Sequence, residues 1–239
     1  MSLQALIFDV DGTLADTERD GHRIAFNAAF RESGLSWNWD AALYGELLAI
    51  TGGKERIRFY AQNHDPDFLA DPDCDARIRS LHVTKTRHYL ELLKAGGIPL
   101  RPGIARLIAE ARAEGLRLAI ATTTTPENVT ALLDASLAAG SAAWFEVIGA
   151  GDIVPAKKPA PDIYFWVLER LALPPSACLA VEDSANGLRA SLGAGLPTWV
   201  VTSEYTRSQD FTGALVVLPE LDGVTLNDIR TRHAAGRTA

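Results

Sequence analysis

The chain has 239 residues, 47% hydrophobic and 22% charged, which is ordinary globular usage and excludes disordered, collagen-like and coiled-coil classes. With 23 basic and 30 acidic side chains its formal charge is −7, so neither a nucleic acid nor an anionic membrane is an expected partner. No apolar stretch approaches the roughly 18–20 residues of a membrane span, the N-terminus lacks a basic start, and Cys74 and Cys178 show no paired or metal-ligand spacing. A cytoplasmic monomer with reduced thiols is therefore expected.

The first predicted element is a short buried strand over residues 3–8, an apolar run that ends in acids. About 85 residues without a strong strand follow. They carry helical blocks at 17–33, 41–49, 53–63 and 75–94, and loop chemistry returns at 95–103. A helix at 104–114 ends on Gly115, a C-cap signal. Strands are then predicted at 116–121, 144–148, 178–181, 198–201 and 214–218, with helices at 126–137, 161–171 and 185–192. Alternation of this kind predicts an α/β protein with a Rossmann-like, doubly wound parallel sheet. Residues 1–15 and 97–239 form that domain, and residues 16–96 form an inserted all-helical module. The tail from about Arg232 is small and polar and is expected to fray.

Four motifs stand at or just beyond strand ends or before the following helix, and strand ends face the ligand crevice of such a sheet. Asp9 and Asp11, in FDVDGTLAD, follow the first strand, and Gly12 permits the turn between them and the next segment. A calcium loop is excluded, because position six is Leu14, position twelve is Asp20 and a strand rather than a helix precedes. Thr122, in ATTTTPEN, is placed to hold phosphate oxygens, whereas Thr125 before Pro126 suits an N-cap. Lys157 and Lys158, in AKKPAPD, either neutralise an anion or belong to a solvated loop. Glu182 and Asp183, in VEDSANG, call for a cation nearby or cap the next helix through Asp183 or Ser184.

Taken together, DVDGTLAD, TTTT, KKPAPD and VEDSANG resemble the haloacid dehalogenase superfamily of phosphohydrolases. The inserted helices resemble the small cap of the group that includes β-phosphoglucomutase and phosphoglycolate phosphatase. The resemblance implies that Asp9 is a nucleophile forming an aspartyl-phosphate and that Asp11 is the general acid and base. It implies that Thr122 and Lys158, rather than Lys157, hold the phosphoryl group. The implied cofactor is Mg²⁺, bound by the side chains of Asp9 and Asp183 and the carbonyl of Asp11, with Glu182 as a ligand or neighbour.

DTER, TGGKERI, TTTTPENV and KKPAPDIY further resemble the CbbY-type subgroup, which implies a xylulose-1,5-bisphosphate phosphatase. On that resemblance Glu18 contacts sugar hydroxyls, and Gly52, Gly53, Lys54, Glu55 and Arg56 hold a distal phosphate over the catalytic one. Thr123, Thr124 and Thr125 are further expected substrate contacts. Mutases carry a cap histidine where spacing puts Gly21 in this chain; His22 lies one residue late, and a local bulge would restore it. Tyr44 is a further possible contact, and Trp37, Trp39, Phe165 and Trp166 are expected to pack. A mutase, a generic sugar-phosphate or phosphoglycolate phosphatase and a non-catalytic phosphosugar sensor are the competing functions.

Overall fold

The computed structural model describes residues 2–96 and 98–236. Expectations that fall on Met1, on Gly97 at the domain boundary and on residues 237–239 lie outside them. In chain order the elements are β1 (Ala5–Phe8), α1 (Arg23–Glu32), α2 (Ala41–Leu47), α3 (Gly53–His64), α4 (Pro66–Ala70), α5 (Cys74–Lys94), α6 (Ile104–Ala113) and β2 (Arg117–Ala121). These are followed by α7 (Pro126–Ser136), β3 (Val147–Gly149), α8 (Asp162–Leu171), β4 (Cys178–Glu182), α9 (Ala185–Gly193), β5 (Thr198–Val201), β6 (Val216–Leu218) and α10 (Leu226–Ala235). The chain divides into two compact units, residues 1–16 with 99–239 and residues 17–98.

The first unit is a six-stranded sheet in the order β3-β2-β1-β4-β5-β6, parallel at every pairing. β1 is central and wholly buried, which explains its uninterrupted apolar run: helices cover both faces of such a strand. Phe8 is in register with Ile120 of β2 and Val181 of β4, so the residues that follow these strands emerge at one edge. Ser184 caps α9 by accepting from Gly187 N. Thr225 and Asp228 form a reciprocal capping box that starts α10. That helix runs through Arg232 to Ala235, where a frayed tail was expected. The strand expected at 144–148 is confined to Val147–Gly149. Trp144 instead closes a 3₁₀ turn, and its ring lies 3.7 Å under the Arg112 guanidinium. Phe165 is 51% exposed and is not a core residue.

The second unit is all helical and built round aromatic side chains. Trp39 packs edge-on to Phe30 at 4.8 Å, and Trp37 packs against Phe68 at 4.9 Å. α4 was not anticipated; Asp65 caps it through Phe68 N, and Pro66 opens it. The block expected at 17–33 begins with a π-helical turn, Glu18–His22, before α1. Such a turn accommodates one extra residue in the helix. No helix among the described residues is long and apolar enough to cross a membrane.

Candidate active site

The sheet edge beyond β1 and β4 gathers buried charge. Asp9 N donates to Val181 O at 3.0 Å, which holds the residue after β1 against β4. Gly12, at φ +83°, turns the chain back; its N–H donates to Ala15 O at 2.9 Å. Asp11 sits in that turn, bridged to Ala15. Glu182 is the last residue of β4, and Asp183 follows it. Carboxylate oxygens of Asp9, Glu182 and Asp183 all lie within 4.8 Å of one another.

Lys158 enters from the loop before α8. Its Nζ donates to Asp9 Oδ1 at 2.7 Å, Ala121 O at 2.8 Å and Glu182 Oε1 at 2.6 Å. Lys157, by contrast, pairs with Asp152 at 2.9 Å. Tyr164 of α8 is fully buried, donates its hydroxyl to Glu182 Oε1, and lays its ring 5.2 Å from Lys158 Nζ. Sequence reasoning missed Tyr164, although KPAPDIY places it in the first turn of the helix after the lysine. Arg101, also missed, is a buried cation in an otherwise apolar stretch before Pro102.

Burial pushes the Asp9 carboxyl up to about 7; Lys158 opposes this, while the charges of Glu182 and Asp11 add to it. Burial alone would lower the Lys158 ammonium, but the charges of Asp9 and Glu182 more than offset it and hold it above its ordinary value. Burial, then the charge of Glu182, holds the Tyr164 hydroxyl well above its usual range.

The site fits a divalent cation. Three buried carboxylates gather within 4.8 Å, Lys158 bonds to two of them, and Glu182 Oε2 is buried with no donor among the described residues. Two glycines leave room for the acids. A Cβ on Gly187 would lie 1.9 Å from Glu182 Oε2, and one on Gly12 would lie 2.2 Å from Asp183 Oδ2. An all-oxygen donor set of this kind suits a hard ion.

The threonines follow β2. Thr122 is buried, with its N–H on Gly149 O at 2.9 Å and its hydroxyl accepting from Thr124 N at 3.3 Å. Thr124 Oγ1 accepts from Asn128 at 3.0 Å, and Thr123 is half-buried. Thr125 occupies the N-cap position of α7, but its hydroxyl makes no cap hydrogen bond.

Within the helical unit a second polar cluster forms. Tyr44, wholly buried, donates to Glu18 Oε2 at 2.5 Å and accepts from Arg56 Nη1 at 2.9 Å. Arg56 lies 3.8 Å from Glu18, and its Nε donates to Leu47 O at 3.2 Å and Ile50 O at 3.3 Å. Arg56, expected to hold a distal phosphate, is buried and tied to its own unit. Gly52, at φ +98°, starts α3, with Gly53, half-buried Lys54 and exposed Glu55 in the first turn. Gly21 is tightly enclosed, because a Cβ there would sit 2.7 Å from the Tyr89 ring. His22 is buried one residue on, in the π turn, with Nδ1 2.8 Å from Lys85 Nζ and its ring 4.2 Å from Tyr89.

The profile of haloacid dehalogenase-like hydrolases matches residues 3–195. The plasmid-borne protein CbbY of Cupriavidus necator is 56% identical over 219 residues, spanning 92% of this chain and 86% of that protein. A phosphoglycolate phosphatase of Shigella boydii is 28% identical over 212 residues, 85% of this chain and 82% of its own. Among solved structures, a CbbY variant from Rhodobacter sphaeroides in complex with xylulose-(1,5)bisphosphate superposes with a TM-score of 0.86 at 46% identity, covering 95% of this chain and 98% of that one.

Proposed function

This chain belongs to the haloacid dehalogenase-like hydrolase family and is a phosphatase, and from that premise we propose that it hydrolyses a small sugar bisphosphate, xylulose-1,5-bisphosphate foremost, through a phosphorylated Asp9. The observation that carries the reading is the buried set of Asp9, Lys158, Glu182 and Asp183 at one sheet edge. The likeness to a relative crystallised with xylulose-(1,5)bisphosphate supports the choice of sugar.

Mg²⁺ would be held by the side chains of Asp9 and Asp183 and the carbonyl of Asp11, with Glu182 beside it; it supplies positive charge against the phosphoryl oxygens. Asp9 attacks phosphorus as its carboxylate. The bond from phosphorus to the sugar oxygen breaks, and Asp11 delivers a proton to that oxygen. Asp11 then takes a proton from water, whose oxygen attacks phosphorus; the Asp9–phosphorus bond breaks and phosphate leaves. Lys158 exchanges its bond to Asp9 for a phosphoryl oxygen, joined by Thr122 and the backbone of Thr123, Thr124 and Thr125 before α7. Selection belongs to the helical unit: Glu18 recognises hydroxyls, and Gly52, Gly53, Lys54, Glu55 and Arg56 recognise a second phosphate at the start of α3.

The test is a panel of phosphate esters with and without Mg²⁺, containing xylulose-1,5-bisphosphate, the matching monophosphate, glucose phosphates and phosphoglycolate. Highest kcat/KM on the pentulose bisphosphate, abolished by chelation, is expected. Phosphoryl transfer between positions of one sugar without release of phosphate would make the chain a mutase instead. Ester binding without turnover would make it a sensor.

A further inference from the structure

We propose that Arg101 is a positioning residue for the general acid and base, fixing the turn that carries Asp11; this rests on the catalytic reading of Asp11 given above. Arg101 follows the segment that returns the chain to the sheet unit. Its own N–H donates to Leu14 O at 2.8 Å, and the neighbouring Leu100 bridges to Ala15. Its guanidinium is buried and faces four main-chain carbonyls. Nη1 donates to Gly12 O and to Val201 O at 2.8 Å, and Nη2 donates to Thr202 O at 2.8 Å and to Pro219 O at 2.7 Å. Asp16 Oδ1 lies 3.7 Å from Nε.

These acceptors are not a random set. Val201 ends β5, Thr202 follows it, and Pro219 follows β6, so the guanidinium is anchored on two strand ends of the sheet. Its remaining bond goes to the carbonyl of the residue after Asp11. Gly12 is thereby held at both polar groups, its N–H by Ala15 O and its carbonyl by Arg101, and a Cβ on it would lie 2.2 Å from Asp183 Oδ2. A planar group with several fixed N–H donors can bridge four carbonyls; an ammonium with three donors cannot. Gly12 has no side chain and a positive φ, so its peptide has little intrinsic preference and needs an external restraint. Release of that restraint moves Asp11, and misplacement of a reacting group by about 1 Å can cost about 10²-fold.

The experiment compares kcat/KM on a sugar phosphate, whose alkoxide leaving group needs a proton, with kcat/KM on nitrophenyl phosphate, whose leaving group does not. Asp11→Asn on the same pair is the reference. Arg101→Lys should lower the sugar-phosphate value by about 10–10²-fold and leave the nitrophenyl value within about threefold. In the Asp11→Asn background the same change should lose its selectivity and cost both esters alike, because the carboxyl being positioned is gone while the residue-11 carbonyl remains. Equal losses on both esters, or full additivity with Asp11→Asn, would make Arg101 a general stabiliser and overturn the proposal. Asp16→Asn, a change at a half-exposed side chain, covers the case in which Arg101→Lys does not fold. It should show the same selectivity at about two- to fivefold, and its absence overturns the proposal equally. Failure of the catalytic reading is distinguishable: wild type would then hydrolyse neither ester, or Asp11→Asn would show no selectivity.

Discussion

Each unit of this protein joins a buried cation and a buried tyrosine to a carboxylate that accepts from the tyrosine hydroxyl, Glu182 being buried and Glu18 half-buried. In the sheet unit they are Lys158, Glu182 and Tyr164; in the helical unit they are Arg56, Glu18 and Tyr44. The difference lies in the charge balance. The sheet cluster adds Asp9 and Asp183, so three carboxylates lie within 4.8 Å of one another and Lys158 bonds to two of them, Asp9 and Glu182. The helical cluster pairs one carboxylate with one guanidinium, whose Nε is spent on main-chain carbonyls. A buried surplus of negative charge demands a further cation and marks the place for chemistry. A balanced pair makes no such demand, and the role proposed for it is recognition.

Removal of one member of the surplus is the hardest test. Asp9→Asn deletes the proposed nucleophile, and turnover should fall by about 10⁴-fold or more. Asp9 is also a carboxyl that burial has pushed up to about 7, so its replacement by a neutral amide relieves a cost of folding. The variant should therefore melt no lower than wild type near neutral pH when both lack Mg²⁺. A steady-state assay and a thermal melt decide this. Lost activity with a much lowered Tm would mean that the cluster is structural.

In the helical unit the two cations of α3 should separate. Lys54→Ala removes half-buried charge, and its loss should appear in kcat/KM for a bisphosphate, by about tenfold, with Tm unchanged. Arg56→Ala strips donors from Tyr44 Oη, Leu47 O and Ile50 O. It should lose the same discrimination and also destabilise the fold by on the order of 3 kcal/mol in urea. Equal stability losses for the two variants would contradict the burial difference. Equal activity losses on mono- and bisphosphates would contradict the distal-phosphate role.

The tyrosines sharpen the comparison further. Tyr164→Phe keeps the ring near Lys158 but withdraws a donor from a carboxylate in surplus, which should cost about 1.5–3 kcal/mol. Tyr44→Phe leaves Glu18 and Arg56 already 3.8 Å apart, free to close on one another, and should cost about 1 kcal/mol. Urea unfolding of both variants measures the gap; a reversed order would break the charge-balance argument.

Much of the sheet unit was legible because its signals are local. An apolar run followed by acids locates a strand end, and register in a parallel sheet does the rest. Trp144 misled because an apolar residue before a strand resembles its first residue, yet it serves the preceding 3₁₀ turn. What sequence hid is long-range or subtle by one residue. Arg101 meets Gly12, Val201 and Pro219 at separations of 89, 100 and 118 residues, which no local pattern encodes. The π turn at Glu18–His22 places His22 rather than Gly21 beside Lys85, a displacement invisible to spacing. The burial of Arg56 depends on carbonyls of α2 and the loop after it, which helix periodicity does not report.

The cysteines provide the mildest contrast between the units. Cys178 lies in β4, wholly buried, and burial pushes its thiol up to about 11 against the pull of Arg117. Only about one thiol in a thousand would be ionised there at pH 8, and reagents attack the thiolate. Cys74 opens α5 and is partly exposed, with Sγ 3.8 Å from Asp75 Oδ1. A charged thiol reagent at pH 8 should therefore label one site, Cys74, in the folded protein, with the second labelled only on addition of urea. Since Cys74 belongs to neither polar cluster, labelling should leave kcat/KM within about twofold. Mass spectrometry of the labelled protein decides the order. Rapid labelling of Cys178 under native conditions would mean that β4 opens readily, and the acids at its end could not then be held as firmly as the site requires.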